Sequence, residues 1–328
     1  MRRALLIGID NYPDPHRLNG CIEDIKAMRK ALEFNGDGTL NFEIVELPNV
    51  QSSKIAMGQI ETLFATDSEI ALLYFSGHGC ENSTGSEIVF PRDLSNDGYY
   101  NGLQMRSIMD IVNNNNSKAK NKIIILDCCH SGDFGRYRID IDNSDLRPGV
   151  SILSACQGDQ FAMGRNGATS FFTEILCMAL EGSAADFLGN ITIGSLYAYI
   201  DRFFSVSEQR PVFKTNVTEF IPIKRITPKV SSKVIREVVS IFKNNNYIFP
   251  LDPSYEESNA PGKPQQLETP YADPAHVAVM QKLQMMVSIG FVEPVDATHM
   301  YHAAMQSKGC RLTELGKYYW ILARKGLV

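Results

Sequence analysis

The sequence predicts an α/β fold in which a sheet of mainly parallel strands carries helices on both faces, followed by a small C-terminal α+β domain. Over the first two thirds of the chain, strand-like apolar runs alternate with segments of helical periodicity, which is typical of a parallel sheet. Two of the runs, residues 70–75 and 123–126, are apolar throughout, as strands buried on both faces are. Beyond residue 223 both the pattern and the charge of the chain change.

The elements of the first domain, residues 1–223, follow one another at short intervals. Helices are placed where apolar residues recur every three or four positions, as do Ile25, Met28 and Leu32 before Asn35-Gly36 ends their helix. The predicted strands cover residues 4–9, 43–47, 70–75, 87–91, 123–126, 150–155 and 219–223. The predicted helices cover residues 21–34, 52–64, 104–112, 170–180 and 193–204.

The second domain, residues 224–328, is predicted to begin near Thr227-Pro228, where the preceding extended run ends. Helices are expected at residues 234–242 and 275–288, with a proline-rich irregular segment between them. Residues 290–292 and 310–323 resemble the strand, wing and final helix of winged-helix domains.

Composition indicates a globular protein with room for two domains, since the chain has 328 residues of which 44% are hydrophobic. No apolar run approaches the roughly 18 residues of a membrane span, and the start of the chain lacks the pattern of a signal peptide. The expected location is therefore the cytoplasm, with no membrane partner. The seven cysteines form no CxxC pair, so we expect reduced thiols and not a disulfide framework or a zinc site.

Charge differs between the two domains. The first has 19 basic and 28 acidic residues, and the second has 13 and 9. An excess of about four positive charges without a basic stripe is too little to indicate nucleic-acid binding, and a regulatory role is preferred for the second domain.

Reactive side chains follow the two most apolar strands. Asp127-Cys128-Cys129-His130 comes directly after residues 123–126, and Ser76-Gly77-His78-Gly79 comes after residues 70–75. Carboxyl ends of neighbouring parallel strands meet at one edge of a sheet, where ligands gather. An imidazole there can take the proton of a thiol, so His78 and Cys129 are a candidate base and nucleophile.

These two motifs, S-G-H-G and D-C-C-H-S-G, lie 51 residues apart between histidine and cysteine and resemble those of the caspase-like cysteine proteases (peptidase C14 type). The form is similar to that of metacaspases and bacterial orthocaspases, and the resemblance covers residues 1–223. It implies a Cys–His dyad of Cys129 and His78. It also implies an oxyanion hole formed by the backbone N–H groups of Gly79 and Cys129, with glycine permitting close approach of a substrate.

Specificity is predicted from Asp127. Residues i and i+2 of a strand share a face, so Asp127 lies on the side of Cys129 while Cys128 points away. Metacaspases combine such an aspartate with a second one in an early G-C-x-x-D segment, here ending at Asp24. The resemblance implies that this pair binds arginine, and less well lysine, before the cut. The other residues implied to line the pocket are Ser154, Ala155 and Asp159.

Other assignments of these residues fit the sequence less well. His130 follows Cys129 directly and therefore points away from its face, which disfavours it as the base. Cys156 and Cys177 have the surroundings of core thiols. A tyrosine-phosphatase loop requires five residues between cysteine and arginine, but six separate Cys129 from Arg136.

Metal sites fit less well. A zinc site cannot be formed by Cys128, Cys129 and His130, because three consecutive residues of a strand do not all face one ion. The calcium-binding acidic cluster of many metacaspases is not evident, since Asp93, Asp97 and Asp110 are scattered. We therefore expect calcium-independent activity without a metal or other cofactor.

The expected function is that of a cysteine endopeptidase that cuts proteins after basic residues and is gated by its C-terminal domain. Bacterial caspase-like proteases with compact accessory domains often act in antiviral defence, sometimes in response to a nucleotide-type messenger such as a cyclic ADP-ribose isomer, and the resemblance permits this role or gating by a protein regulator. The alternative is a catalytically idle scaffold that keeps the fold for binding. The presence of both His78 and Cys129 disfavours that alternative.

Overall fold

The computed structural model describes residues 1–82, 85–93, 102–114, 116–129, 146–155, 168–203, 211–217, 219–263 and 267–328, with the side chains of 81, 82, 85 and 129 left outside. Within this part, the chain forms two compact units. The first comprises Met1–Asp186 and Asn190–Ile226, and the second comprises Phe187–Gly189 and Thr227–Val328. No helix of the described residues is both long and apolar enough to cross a membrane.

The first unit alternates strands and helices along the chain. Its strands are β1 (Arg2–Gly8), β2 (Glu43–Pro48), β3 (Ser68–Asn82), β4 (Gly85–Ile88), β5 (Leu103–Gln104), β6 (Ala119–Cys129), β7 (Val150–Ser154), β8 (Asn190–Ile191), β9 (Val212–Asn216) and β10 (Lys224–Arg225). Its helices are α1 (Cys21–Leu32), α2 (Ser53–Ala65), α3 (Met105–Val112), α4 (Phe171–Met178) and α5 (Ile193–Ile200). Short 3-10 turns occupy Pro91–Asp93 and Asp201–Phe203.

The main sheet has the order β2-β1-β3-β6-β7-β9. The first five of these strands are parallel, and β9 pairs antiparallel with β7. β4 pairs antiparallel with the C-terminal end of β3, and β5 pairs antiparallel with β4. The prediction of a mainly parallel sheet with helices on both faces is confirmed.

Two apolar layers cover the sheet. The layer under α2 and α3 takes Ile124 and Leu126 of β6, whereas the layer under α1, α4 and α5 takes Ile123 and Ile125. This division follows from the strand period of two, which sends successive side chains to opposite faces. It also explains why the run is apolar throughout.

Two aspartates fix the beginnings of helices beside the sheet. The carboxylate of Asp10 accepts hydrogen bonds from the backbone N–H groups of Gly20 and Cys21 at 3.1 and 2.9 Å, at the start of α1. Asp93 accepts from the N–H of Ser53 at 2.8 Å at the start of α2. Carboxylates satisfy the free N–H groups of a helix start and favour its dipole, so both helices are held in place at this end.

The last strand of the main sheet is not where it was predicted. It is β9, and residues 219–223 form no strand. Pro222 lacks a backbone N–H and cannot donate to a ladder, which explains the failure. β9 was missed because its side chains, which include Lys214 and Thr215, are half-buried and show no apolar pattern.

The second unit has its own core and its own antiparallel sheet. Its elements are α6 (Ser232–Ile241), β11 (Phe249–Pro250), α7 (Pro274–Ser288), β12 (Val292–Val295), α8 (Met300–Met305), β13 (Gly309–Leu312) and α9 (Glu314–Arg324). The sheet order is β11-β13-β12. The indole N–H of Trp320 donates to the carbonyl of Phe242 at 2.9 Å, which links α9 to the end of α6. Because α8 lies between β12 and β13, these strands are not joined by a bare hairpin of the kind that forms a wing.

Candidate active site

The two strands that carry the motifs lie side by side. β3 pairs with β6 in parallel from Ser68 opposite Ala119 to His78 opposite Cys129, at the same edge of the sheet. Neighbouring strands are about 4.8 Å apart, so the backbones of the predicted base and nucleophile are adjacent. The side chain of Cys129 and the whole of His130 lie outside the described residues.

The residues before Cys129 alternate between the two faces of the sheet. Cys128 packs in the layer under α2 and α3, whereas Asp127 bonds to α4 on the opposite face. The same alternation predicts that Cys129 lies on the face of Asp127. A Cβ added to Gly79 would lie 3.1 Å from the Cβ of Cys128, so the room left by this glycine faces Cys128 and not a substrate. The oxyanion role of Gly79 and Cys129 stays a prediction.

His78 is held by the loop that follows β1. The side chain is 2% exposed, and its Nε2 lies 2.7 Å from the carbonyl oxygen of His16. A carbonyl only accepts hydrogen bonds, so Nε2 carries the hydrogen and Nδ1 of the neutral ring is the nitrogen that can take a proton. The ring of Tyr12 packs against the imidazole, with 4.5 Å between centroids.

The two predicted pocket acids come together around the start of α4. Ser76 donates to Oδ2 of Asp24 at 2.6 Å, and the backbone N–H of Ser170 donates to Oδ1 at 2.7 Å. The hydroxyl of Ser170 and that of Thr173, the latter at 2.8 Å, both donate to Oδ2 of Asp127. Oδ1 of Asp127 is buried and has no hydrogen-bond partner among the described groups. Ser170 thus bridges the two acids.

Comparison with known proteins identifies the family. The family model of the caspase domain matches residues 1–222, which is about two thirds of the chain. The chain belongs to the caspase-domain family of peptidases.

Two solved structures are similar to part of this chain at low sequence identity. A crystal structure of a protein from Geobacter sulfurreducens has a TM-score of 0.48 and 16% identity, and covers 69% of this chain and 100% of that chain. The structure of pro-sf-caspase-1 has a TM-score of 0.47 and 14% identity, and covers 68% of this chain and 91% of that chain. No curated protein matches the chain as a sequence relative.

Asp24 and Asp127, here called the acid pair, lie in surroundings that disfavour their charged forms. Burial, and after it the neighbouring charge of Asp127, raise the pKa of Asp24 from 3.8 to about 8. Burial also raises the pKa of Asp127, against the lowering effect of the Ser170 and Thr173 hydroxyls. Two carboxylates in one buried site disfavour double ionisation, so the pair retains a proton near neutral pH.

Stability should therefore depend on pH through Asp24. Its pKa is higher in the folded than in the unfolded state, so its stabilising contribution is complete below pH 3.8 and is lost as pH rises towards 8. Asp24→Asn keeps a neutral polar side chain, and we expect its melting temperature relative to wild type to rise by several degrees between pH 5 and pH 9. Thermal unfolding followed by circular dichroism measures this difference. The exposed Asp67→Asn is the matched control, and a difference for Asp24→Asn that stays constant with pH would contradict the assignment.

The remaining predicted pocket residues are only partly described. Ser154 is buried at the end of β7, and its hydroxyl contacts the carbonyl of Ala155 at 3.3 Å. Ala155 continues the sheet by donating its N–H to Leu126 at 2.9 Å. Asp159 and Cys156 lie outside the described residues, so the pocket-lining role of this segment stays a prediction.

The other cysteine and aspartate residues considered from the sequence show no catalytic or metal-binding arrangement among the described residues. Cys177 lies 3.9 Å from the sulfur of Met28 and is partly buried against the core, and burial raises its pKa to about 12. Within the described ranges, no three histidine, cysteine or acidic side chains cluster as metal ligands. Asp93 caps α2, while Asp97 lies outside those ranges.

Several contacts of the site were missed from sequence. The carbonyl of His16 is a backbone group, and no residue type marks it. Tyr12 lies in an irregular loop without periodicity. Ser170 and Thr173 gave only the signal of a helix start, since serine is a favoured N-cap, and this does not reveal what else their hydroxyls bind.

Proposed function

We propose that this caspase-domain protein is a cysteine endopeptidase that cleaves protein substrates after arginine and, less readily, after lysine. The observation that carries the proposal is the register of β3 and β6, which pairs His78 with Cys129 where the sheet ends. The acid pair on the face of Cys129 gives the proposal its specificity.

In the proposed reaction, Nδ1 of His78 takes the proton of the Cys129 thiol, and the thiolate attacks the carbonyl carbon of the scissile bond. The N–H groups of Gly79 and Cys129 bind the resulting oxyanion. The C–N bond then breaks, the imidazolium protonates the leaving amine, and water hydrolyses the thioester. The hydrogen bond from Nε2 of His78 to His16 supports this sequence, because it leaves Nδ1 as the proton acceptor.

Specificity for a cation is supported by the unsatisfied oxygen of Asp127. A buried carboxylate oxygen without a donor is unfavourable, and a guanidinium can supply the missing hydrogen bonds with opposite charge. Arginine presents a planar fork that can meet Asp24 and Asp127 together, whereas lysine is a point charge. This difference gives the proposed order of arginine over lysine, with aspartate excluded.

The C-terminal unit is the proposed gate. Its independent core and sheet support a role as a separate module. We propose that this module binds a nucleotide-type signal, such as a cyclic ADP-ribose isomer, or a protein regulator. Gating requires a signal that binds the active state more tightly than the idle state. An effector role in bacterial antiviral defence is the biological setting that we propose.

Cleavage profiling of the full chain on a peptide library tests the proposal, with and without cyclic ADP-ribose isomers and with and without calcium. We expect cleavage after arginine, weaker cleavage after lysine, stimulation by the nucleotide and no requirement for calcium. A preference for aspartate before the cut would contradict the pocket assignment. Absence of cleavage under every condition would favour the idle scaffold.

A further inference from the structure

His78 lies where β3 changes its neighbour. On one side, β1 pairs with β3 as far as Gly8 opposite Ser76, and the N–H of Ile9 still donates to Ser76 at 3.0 Å. Beyond this point β4 takes the place of β1, beginning with Gly79 opposite Ile88. A strand that exchanges one partner for another has backbone groups to satisfy at the junction.

The hydroxyl of Tyr12 fills this junction. The antiparallel register makes Val89 the partner of His78, and Val89 donates its N–H to the His78 carbonyl at 2.9 Å. Such a pair normally exchanges two direct bonds. Here the second runs through Tyr12, because the N–H of His78 donates to the hydroxyl at 3.0 Å and the hydroxyl donates to the Val89 carbonyl at 3.0 Å. Tyr12 is therefore inserted into the β3–β4 ladder at His78.

The surroundings of Tyr12 are shaped to this insertion. The side chain is 4% exposed, and its ring packs against the imidazole of His78. A Cβ at Gly77 would lie 2.6 Å from the hydroxyl oxygen, so glycine is needed there for the hydroxyl to fit. The same loop supplies the His16 carbonyl that bonds Nε2.

We propose that Tyr12 is a positioning residue for His78. Its hydroxyl fixes the backbone of His78, and its ring fixes the plane of the imidazole whose Nε2 is bound to His16. This inference rests on the proposed function, in which His78 is the base. Small displacements of a reacting group reduce rate strongly, so loss of the hydroxyl should lower kcat and leave substrate binding nearly intact.

Tyr12→Phe is the test, because it keeps the ring and removes only the hydroxyl. We expect kcat for an arginine peptide to fall about tenfold, because the variant loses both hydrogen bonds of the hydroxyl that joins His78 to Val89, with KM changed less than about twofold. The rate of alkylation at Cys129, followed by mass spectrometry against pH, should fall at neutral pH, since the thiolate depends on a correctly placed imidazole. Tyr197→Phe is the matched control on α5 and should retain wild-type values.

A second variant keeps the inference testable if Tyr12→Phe folds poorly. Gly77→Ala retains Tyr12, but its Cβ would lie 2.6 Å from the hydroxyl oxygen and 2.8 Å from the ring of Phe75, so both must move. In a folded protein it should lower kcat and the alkylation rate in the same way. Wild-type kcat and alkylation in folded Tyr12→Phe, or a change confined to KM, would overturn the role of Tyr12. Undiminished cleavage by His78→Ala would instead overturn the proposed function, and the two failures are thereby distinguished. In an enzyme without detectable cleavage, the alkylation profile alone decides the role of Tyr12.

Discussion

Replacing Cys129 or His78 by alanine should lower cleavage of an arginine peptide by at least about a thousandfold, whereas Cys128→Ala should retain most of it. Covalent catalysis requires the thiol, and general acid–base catalysis alone contributes about 10²–10⁴ in rate. The register of β3 and β6 places the two residues opposite each other, and in the proposed dyad they serve the same chemical step. Their effects should therefore be strongly non-additive, and the double variant should be little worse than either single one.

Cys128 is the matched control because it is the same residue type one position away. It is wholly buried in the layer under α2 and α3, on the face opposite to Asp127. Its replacement by alanine leaves a small cavity and should cost about 1 kcal/mol of stability without touching the chemistry. Single-turnover cleavage and thermal unfolding of each variant separate the two effects. Equal loss of activity in a folded Cys128→Ala protein would contradict the assignment of Cys129.

The sequence pattern predicts a strand correctly where the apolar residues along the chain match the residues that the fold buries. The runs before Asp127 and Ser76 are apolar because both faces of β6 and β3 are covered, so their position in the sheet could be inferred from composition alone. Strand alternation then predicted that Asp127 and Cys128 face opposite sides, and the structure agrees.

The sequence pattern does not predict contacts between residues that lie far apart in the chain. β9 carries half-buried side chains at an edge of the sheet, and its pairing with β7 leaves no periodic signal. Tyr12 acts through a hydroxyl that reaches Val89, 77 residues away, and Ser170 meets Asp24 across 146 residues. Contacts of this kind depend on the assembled fold, because no local propensity encodes them.

The second large effect on activity is expected when Asp127 of the acid pair is replaced. Asp127→Asn should lower cleavage after arginine by roughly ten- to a hundredfold, since a charge-assisted hydrogen bond contributes about 1.5–3 kcal/mol. Asparagine preserves the shape of the side chain and an oxygen that can accept from Ser170 and Thr173. The fold and the reactivity of Cys129 toward a small alkylating agent should therefore be retained. Glu23→Gln, on the exposed side of the first turn of α1, is the control for a general change in charge.

The pH dependence of the same reaction distinguishes a cation pocket from a merely structural pair. Because the pKa values of Asp24 and Asp127 are raised, the pair holds a proton that an arginine side chain must displace. KM for an arginine peptide should thus fall as pH rises from about 6 towards 8, where Asp24 loses its proton. Asp24→Asn should flatten this dependence, whereas Asp127→Asn should move it to lower pH, because burial still raises the pKa of Asp24 but the neighbouring charge is lost. The measurement is kcat and KM for matched arginine and citrulline peptides across this range. If KM for the two peptides fell in parallel, or if Asp24→Asn kept the wild-type dependence of KM on pH, the pair would not be the site that binds the substrate cation.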